Sequence, residues 1–457
     1  MRSWRPETTE KNESAQTWDP PQEGQRRATS RWVDRLFGIT LAINMLLVSA
    51  AVAFPVLDRA AGAATLVATA LGIFGLPPTP RLLAVVLIVV GLCALVTAVL
   101  LGARPEVSQL LALNQTLIGM LTAVSFVRLI TGDGRVHRPR LTGVAAVWRT
   151  AVIVQLLGAV INISAVTLVG DRLRHKGKLY MADALLLSRA YSPGAFWSPF
   201  WGASAAALTY AIGADTGTLL ICGGLLALGA FTISITMVVR AFGDRLPDYH
   251  GYPLSVRVLV LPITMAGFVI GLHTTLPNLK LPVVVLLVSL VVPTVVLAVT
   301  KTRHLPRILG GHVVRGLLPM RGEAVLFTAA GVLSVGLRAV LDVVGFTIPG
   351  QYYTVWFAWL SVIAMTLVAL VGVHPVISIA AVASVLGPVI SEPTLFALAG
   401  TIAWGTAAAV GPISGLNVFL AGRFGVSGFE VARRNFAYLF VVAVLSLPAL
   451  LLCAKLT

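Results

Sequence analysis

The chain has 457 residues, 57% of them hydrophobic and only 11% charged, with a formal net charge of +16. A set of soluble domains is excluded, because many apolar runs approach the roughly 20 residues that a helix needs to cross a bilayer and no soluble core could hide them all. The cations lie in short loops between apolar runs and not on one amphipathic face, so the charge reports membrane topology and argues against a nucleic-acid partner.

Residues 1–35 form a polar tail containing Pro20 and Pro21. It is too long and too mixed in charge for a signal peptide and reads as a retained, disordered cytoplasmic segment. Crossings follow near 36–55, 60–77, 81–103 and 107–130, separated by turns with Pro, Gly or charge. Four crossings return the chain to its starting side. The tail carries Arg26, Arg27, Arg31 and Arg35 and the next loop Arg135, Arg138 and Arg140, so both belong in the cytoplasm.

The apolar run 149–170 is followed by Arg172, Arg174, Lys176 and Lys178, and a single crossing would strand those cations outside. A re-entrant hairpin with its tip at GAVINIS, Gly158 to Ser164, removes the conflict. A crossing over 182–212 contains SPFWGAS from Ser198, 216–240 returns, and Arg240, Arg245 and Arg257 mark a cytoplasmic loop. Crossings near 257–277 and 281–300 lead to a basic loop at 301–321 with Lys301, Arg303, Arg307, Arg315 and Arg321. Then 324–346 goes out, 355–390 forms a second hairpin from the outer side, 394–422 returns with GPISGLN from Gly411, and 435–455 goes out. The expected fold is an all-α polytopic membrane protein of about 11 transmembrane helices plus two re-entrant hairpins, placed in a bacterial inner membrane with a cytoplasmic N-terminus. Cys93, Cys222 and Cys453 stand singly in apolar runs, which suggests neither disulfides nor a metal site.

Two marks recur. Pro199-x-x-Gly202-x-Ser204 is matched 213 positions later by Pro412-x-x-Gly415-x-Asn417, and Gly158 and Ser164 are matched 214 positions later by Gly372 and Ser378. With the opposite expected orientations, this predicts two inverted-topology repeats. Proline removes a backbone donor and glycine tolerates unwound dihedrals, so each motif predicts a helix broken in mid-membrane. A broken helix must line a protected cavity, where half-helix N-termini favour an anion and freed carbonyls can hold a small cation. Kinks and small-x-x-small contacts also serve plain helix packing. The shared offset favours the site reading.

The resulting order is one leading helix, then twice over three helices, a hairpin, a broken helix and a last helix. It resembles the ion transporter superfamily, elevator-type carriers that include divalent-anion/sodium symporters and the large membrane subunit of TRAP transporters. The resemblance implies a dimerising scaffold over 36–130 and 257–346 and a sliding transport domain over 148–240 and 354–457. Carried over by position, it implies substrate contacts at Asn162, Ser164, Ser198, Gly202, Ser204, His374, Ser378, Ser414, Gly415 and Asn417, with Pro199 and Pro412 breaking the helices. It also implies Na⁺ or H⁺ as coupling ion and a homodimer. The contiguous Ser-Asn-Thr signatures of the symporter branch are absent, although INIS and SGLN contain similar residues.

Among single residues, His374 before Pro375 is either a substrate or proton group or a neutral ring bonding a hairpin carbonyl. His273 reads as interfacial, and Arg338 with Asp342 as an i, i+4 structural pair. Glu392 is either an external-gate or proton-linked carboxylate or a solvated loop residue. Phe196, Trp197, Phe200 and Trp201 form either an apolar wall for the substrate or local packing around Pro199. The function expected is secondary transport of a small organic or inorganic anion, with no catalytic residue, metal or cofactor. The alternative is a polytopic membrane enzyme acting on a lipid-linked substrate gripped by basic loops. A channel would want a continuous polar lining instead of two paired breaks.

Overall fold

The structure is a computed structural model that describes residues 28–104, 114–131, 141–253, 256–346 and 352–457. The first 27 residues of the expected tail, and the loop cations Arg135, Arg138 and Arg140, lie outside the described residues. The described chain is helical, with no strand beyond two isolated bridges. Helices α1 (Ala28–Ala51), α2 (Leu57–Ile73), α3 (Pro78–Leu100) and α4 (Gln115–Val127) come first. Next are the pair α5 (Gly143–Ile161) and α6 (Ile163–Leu173), the interrupted series α7 (Met181–Tyr191), α8 (Gly194–Trp197) and α9 (Gly202–Tyr210), and α10 (Thr216–Ala241). The second half repeats this order with α11 (Val256–Thr275), α12 (Leu281–Thr300), the short α13 (Leu305–Gly311) and α14 (Arg321–Val344). It ends with the pair α15 (Val355–Leu370) and α16 (Pro375–Leu386), the interrupted α17 (Pro393–Val410) and α18 (Gly415–Phe424), then α19 (Gly428–Arg434) and α20 (Phe436–Leu456).

Local rules explain the boundaries. Proline occupies the first turn of α3, α12, α13, α16 and α17, where its missing N–H is no loss. Eight segments among the described residues are long and apolar enough to cross a membrane, and four shorter apolar helices accompany them. Large aliphatic side chains on α3, α10, α12 and α20 face outward, as a lipid-facing surface requires. The chain is an all-α membrane protein.

The helices pack in two groups. In one, α1, α2, α3 and α4 pack with α12 and α14; in the other, α5 to α10 pack among themselves and α15 to α20 do likewise, joined by α10 against α20 and by α17 against α8, α9 and α10. The first group is tightest where α3 crosses α14, because a Cβ on Gly336 would strike the Gly91 carbonyl oxygen and one on Gly91 would lie 2.7 Å from the Leu333 nitrogen. Only glycine lets these backbones touch. Buried polar links add register: Asn44 donates to Thr65 (2.8 Å), Thr69 donates to Thr328 (2.8 Å), and Arg321 pairs with Asp34 at 2.6 Å. The groups meet chiefly through α14 against α16, and through α5 with α11.

Two expectations change. The tail does not extend to residue 35, because α1 begins at Ala28 and its Asp34 is held by Arg321. The basic stretch 301–321 is not an open loop but a chain of short helical turns, including a π turn at His312–Gly316. Its reason is apolar spacing: Leu309, Val313, Leu317 and Leu318 pack into the core, and the Val313 carbonyl lies against Gly38 of α1. The expected first hairpin corresponds to α5, of 19 residues, and α6, of 11.

The α3–α14 crossing yields a stability test. Gly336→Val should destabilise the protein by about 1–3 kcal/mol or more through overpacking, read as a lower midpoint in thermal unfolding of the detergent-purified chain. Gly271→Ala, where an added methyl meets nothing within 4 Å, should leave the midpoint unchanged or slightly raised.

Candidate functional site

The first interruption follows α8. Backbone at Ser198 turns extended, Pro199 cannot donate, and the helix restarts at Gly202. The groups this frees are taken up by neighbouring side chains. Ser204 Oγ donates to the Ser198 carbonyl (2.7 Å), and Ser198 Oγ donates to the Ala159 carbonyl while accepting from the Phe200 N–H (3.2 Å). Trp201 Nε1 donates to the Gly158 carbonyl at 2.9 Å. Asn162, at the turn between α5 and α6, donates to the Phe200 carbonyl (3.3 Å) and accepts from the Tyr191 hydroxyl (3.2 Å). Its φ of 53° with ψ of −138° is a conformation that few non-glycine residues adopt, and these bonds hold it there.

The second interruption is built alike. Gly411 to Ser414 separate α17 from α18, and Ser414 Oγ donates to the Ala408 carbonyl (2.8 Å) while capping the Asn417 N–H (3.2 Å). Asn417 Nδ2 donates to the Gly411 carbonyl (2.9 Å) and the Ala409 carbonyl (3.1 Å). Ser204 and Asn417, 213 positions apart in the sequence, therefore make the same bond: each reaches back six residues to a carbonyl opened by the break. Asn435 also donates to the Ala409 carbonyl (3.0 Å) and to Ser188 Oγ (2.9 Å), and it accepts from the buried Arg189 guanidinium at 2.9 Å. Arg189 further donates to the Arg434 carbonyl (2.7 Å), so a cation is buried at 5% exposure on neutral acceptors.

Between the interruptions lies a cavity of about 390 Å³. The turn at Asn162, the turn at Gly372 to Pro375, the restart at Gly202 and the restart at Ser414 and Gly415 all line it. The N-terminal ends of α6, α9, α16 and α18 thus converge on one space. No side chain caps α9 or α6; the Ala165 N–H of α6 turns back to the Asn162 carbonyl (3.0 Å), while the N–H at Gly202 that opens α9 is left for water or a ligand. His374 Nδ1 instead caps α16, accepting from the Val376 N–H at 3.2 Å. The His374 ring is 5.0 Å from Trp404 and 5.7 Å from Phe327, completing an aromatic wall.

Of the expected contacts, Asn162, Ser164, Gly202, His374, Ser414 and Gly415 line the cavity. Ser198, Ser204 and Asn417 do not; they are buried and spent on backbone carbonyls. Ser378 is buried on α16 away from the cavity, with an unpaired hydroxyl, and Pro199 and Pro412 act on the backbone alone. His374 bonds an N–H and not a hairpin carbonyl. Of the four aromatic residues around Pro199 only Trp201 reaches the cavity; Phe196 and Phe200 are core residues, and the wall is made by Tyr191, Phe327, Trp404 and Phe419. Arg338 and Asp342 pair at 3.8 Å, His273 lies 3.2 Å from Thr216 Oγ1, Glu392 precedes α17, and none of these lines the cavity.

Two charged lining residues are absent from the sequence-based list: Arg128, just after α4, and Glu323, in the first turn of α14. A signal existed, since Glu323 is the single acidic residue between Asp248 and Asp342. Arg128 closes an otherwise apolar run from Thr116.

The stitching of the breaks can be separated from solute contact by thermal unfolding. Asn417→Ala removes the side-chain donor shared by the Gly411 and Ala409 carbonyls and should cost about 1–3 kcal/mol, with a smaller loss for Ser204→Ala. Unchanged unfolding in both variants would mean that these side chains do not hold the breaks together.

Neither the family models nor the curated proteins compared with the chain give a match, so its geometry alone carries the functional reading.

Proposed function

We propose that the protein is a secondary transporter that carries a small anion-bearing solute in the cavity between its two interrupted helices, coupled to Na⁺ or H⁺. One observation carries this reading: both turns and both restarts, which the sequence relates by offsets of 213 and 214, line a single cavity. Four half-helix ends directed at one space supply partial positive charge to an anion, and the uncapped start of α9 an open N–H, without burying a full charge. A cavity of this size is near the low end of small-molecule sites, which run from roughly 300 to 1,000 Å³.

On this reading α5–α6 and α15–α16 are re-entrant hairpins, and about 11 helices cross the membrane in two inverted repeats. The mirrored six-residue bonds of Ser204 and Asn417 support the repeat, as does the 2.7 Å bond from Asn114 to the Phe327 carbonyl, which joins residues 213 apart. The group of α1–α4, α12 and α14 is the scaffold, through which two copies would pair, and the rest is the moving domain. With the basic loops in the cytoplasm of a bacterial inner membrane, the lining by Arg128, Gly316 and Glu323 at the cytoplasmic helix ends supports an inward-facing reading.

Two measurements test the proposal. In proteoliposomes, uptake of whichever anion raises the melting temperature in a panel with and without Na⁺ and at two pH values should be lost in Gly415→Leu. That variant points a side chain into open space, so it should melt close to wild type; normal uptake would contradict the site. For topology, Lys176→Cys should react with an impermeant thiol reagent from the cytoplasmic side, and reaction from the outside would refute the first hairpin.

A further inference from the structure

The charged groups of the cavity are unlike those of a site for a simple anion. Arg128 donates to the Gly316 carbonyl at 3.0 Å and has no acidic partner among the described residues. Glu323 has neither a hydrogen bond nor an ion pair among the described residues, and it is exposed at the cavity while Ala324, Val325 and Phe327 beside it are buried. One carboxylate and one guanidinium thus line the same cavity without neutralising each other. A lone anion would satisfy Arg128 and the half-helix ends and would be repelled by Glu323. A lone cation would have the opposite mismatch. A solute carrying both charges meets both groups.

Resting on the transport reading above, we propose that the solute is a zwitterionic amino acid with an apolar side chain. Its carboxylate is received by Arg128 and the uncapped N–H groups at Gly202, and its ammonium by Glu323. Its side chain packs on the wall formed by His374, Trp404 and Phe327, whose ring centroids are 5.0 to 5.8 Å apart. Aromatic faces also attract an ammonium, so the wall and Glu323 act in the same direction.

The test uses matched trios: phenylalanine, 3-phenylpropionate and phenethylamine, then leucine, 4-methylpentanoate and 3-methylbutylamine. Each is titrated against thermal unfolding of the full-length protein and competed against labelled amino acid in proteoliposomes. The amino acid of at least one trio should bind, with both of its analogues about tenfold weaker or worse, because each leaves one of the two cavity charges without its partner. Glu323→Gln should abolish the preference for the amino acid over the acid lacking the amine. Glu323→Asp should retain part of it, which separates pairing from a general structural role. If a variant does not fold, the wild-type ranking decides alone. Binding of the amine-free acid as tightly as the amino acid would overturn the proposal, as would pH-dependent uptake of that acid abolished by Glu323→Gln, which would make Glu323 a proton carrier. A shift with an inorganic anion or dicarboxylate but with none of the six probes would overturn this inference and leave the transport reading standing. No shift and no uptake with any solute would overturn both.

Discussion

The structure depends on one constraint: in a hydrocarbon environment a backbone group without a partner costs on the order of several kcal/mol. Two helices in this chain are nevertheless interrupted deep in the bundle. Their open carbonyls are closed by side chains placed a few residues further on, Ser204 for the first interruption and Ser414 with Asn417 for the second. Once closed in this way, a broken helix no longer has to be hidden by another helix, and its restart can face an empty space. The cavity follows from the stitching.

The two turns facing that space are held differently. The turn at Asn162 is fastened to the first interruption by hydrogen bonds from Ser198, Trp201 and Asn162, and to α7 through Tyr191. The turn at Gly372 meets the second interruption by packing, with Ile413 lying where a Cβ on Gly372 would stand, and its His374 is occupied within its own helix. A symmetric sequence pattern therefore gives a chemically asymmetric cavity, with one wall tied by polar bonds and the other formed by Phe327, His374 and Trp404.

Much of this was legible in the sequence because its causes are local. Proline and glycine at fixed spacing announce an interruption, apolar length announces a membrane helix, and a common offset announces that the interruptions are related. The roles of individual side chains were less legible. Ser198, Ser204 and Asn417 could equally face a ligand or a carbonyl, and only the path of the backbone decides. The folded stretch 301–321 was hidden because its cations mask an apolar spacing. Glu323 and Arg128 belong to no repeat motif, so a search guided by symmetry passed over the groups that break it.

The central claim is that the two interruptions border one water-accessible space. With Cys93, Cys222 and Cys453 replaced, Gly202→Cys and Gly415→Cys can be combined, since an added Cβ at either position meets nothing closer than 3.5 Å. The double variant in membrane vesicles would be treated with a short, impermeant bifunctional thiol reagent and its adducts weighed. The account expects a single intramolecular bridge per chain, formed from one side of the membrane. Two independent adducts, or no reaction at either cysteine, would contradict it.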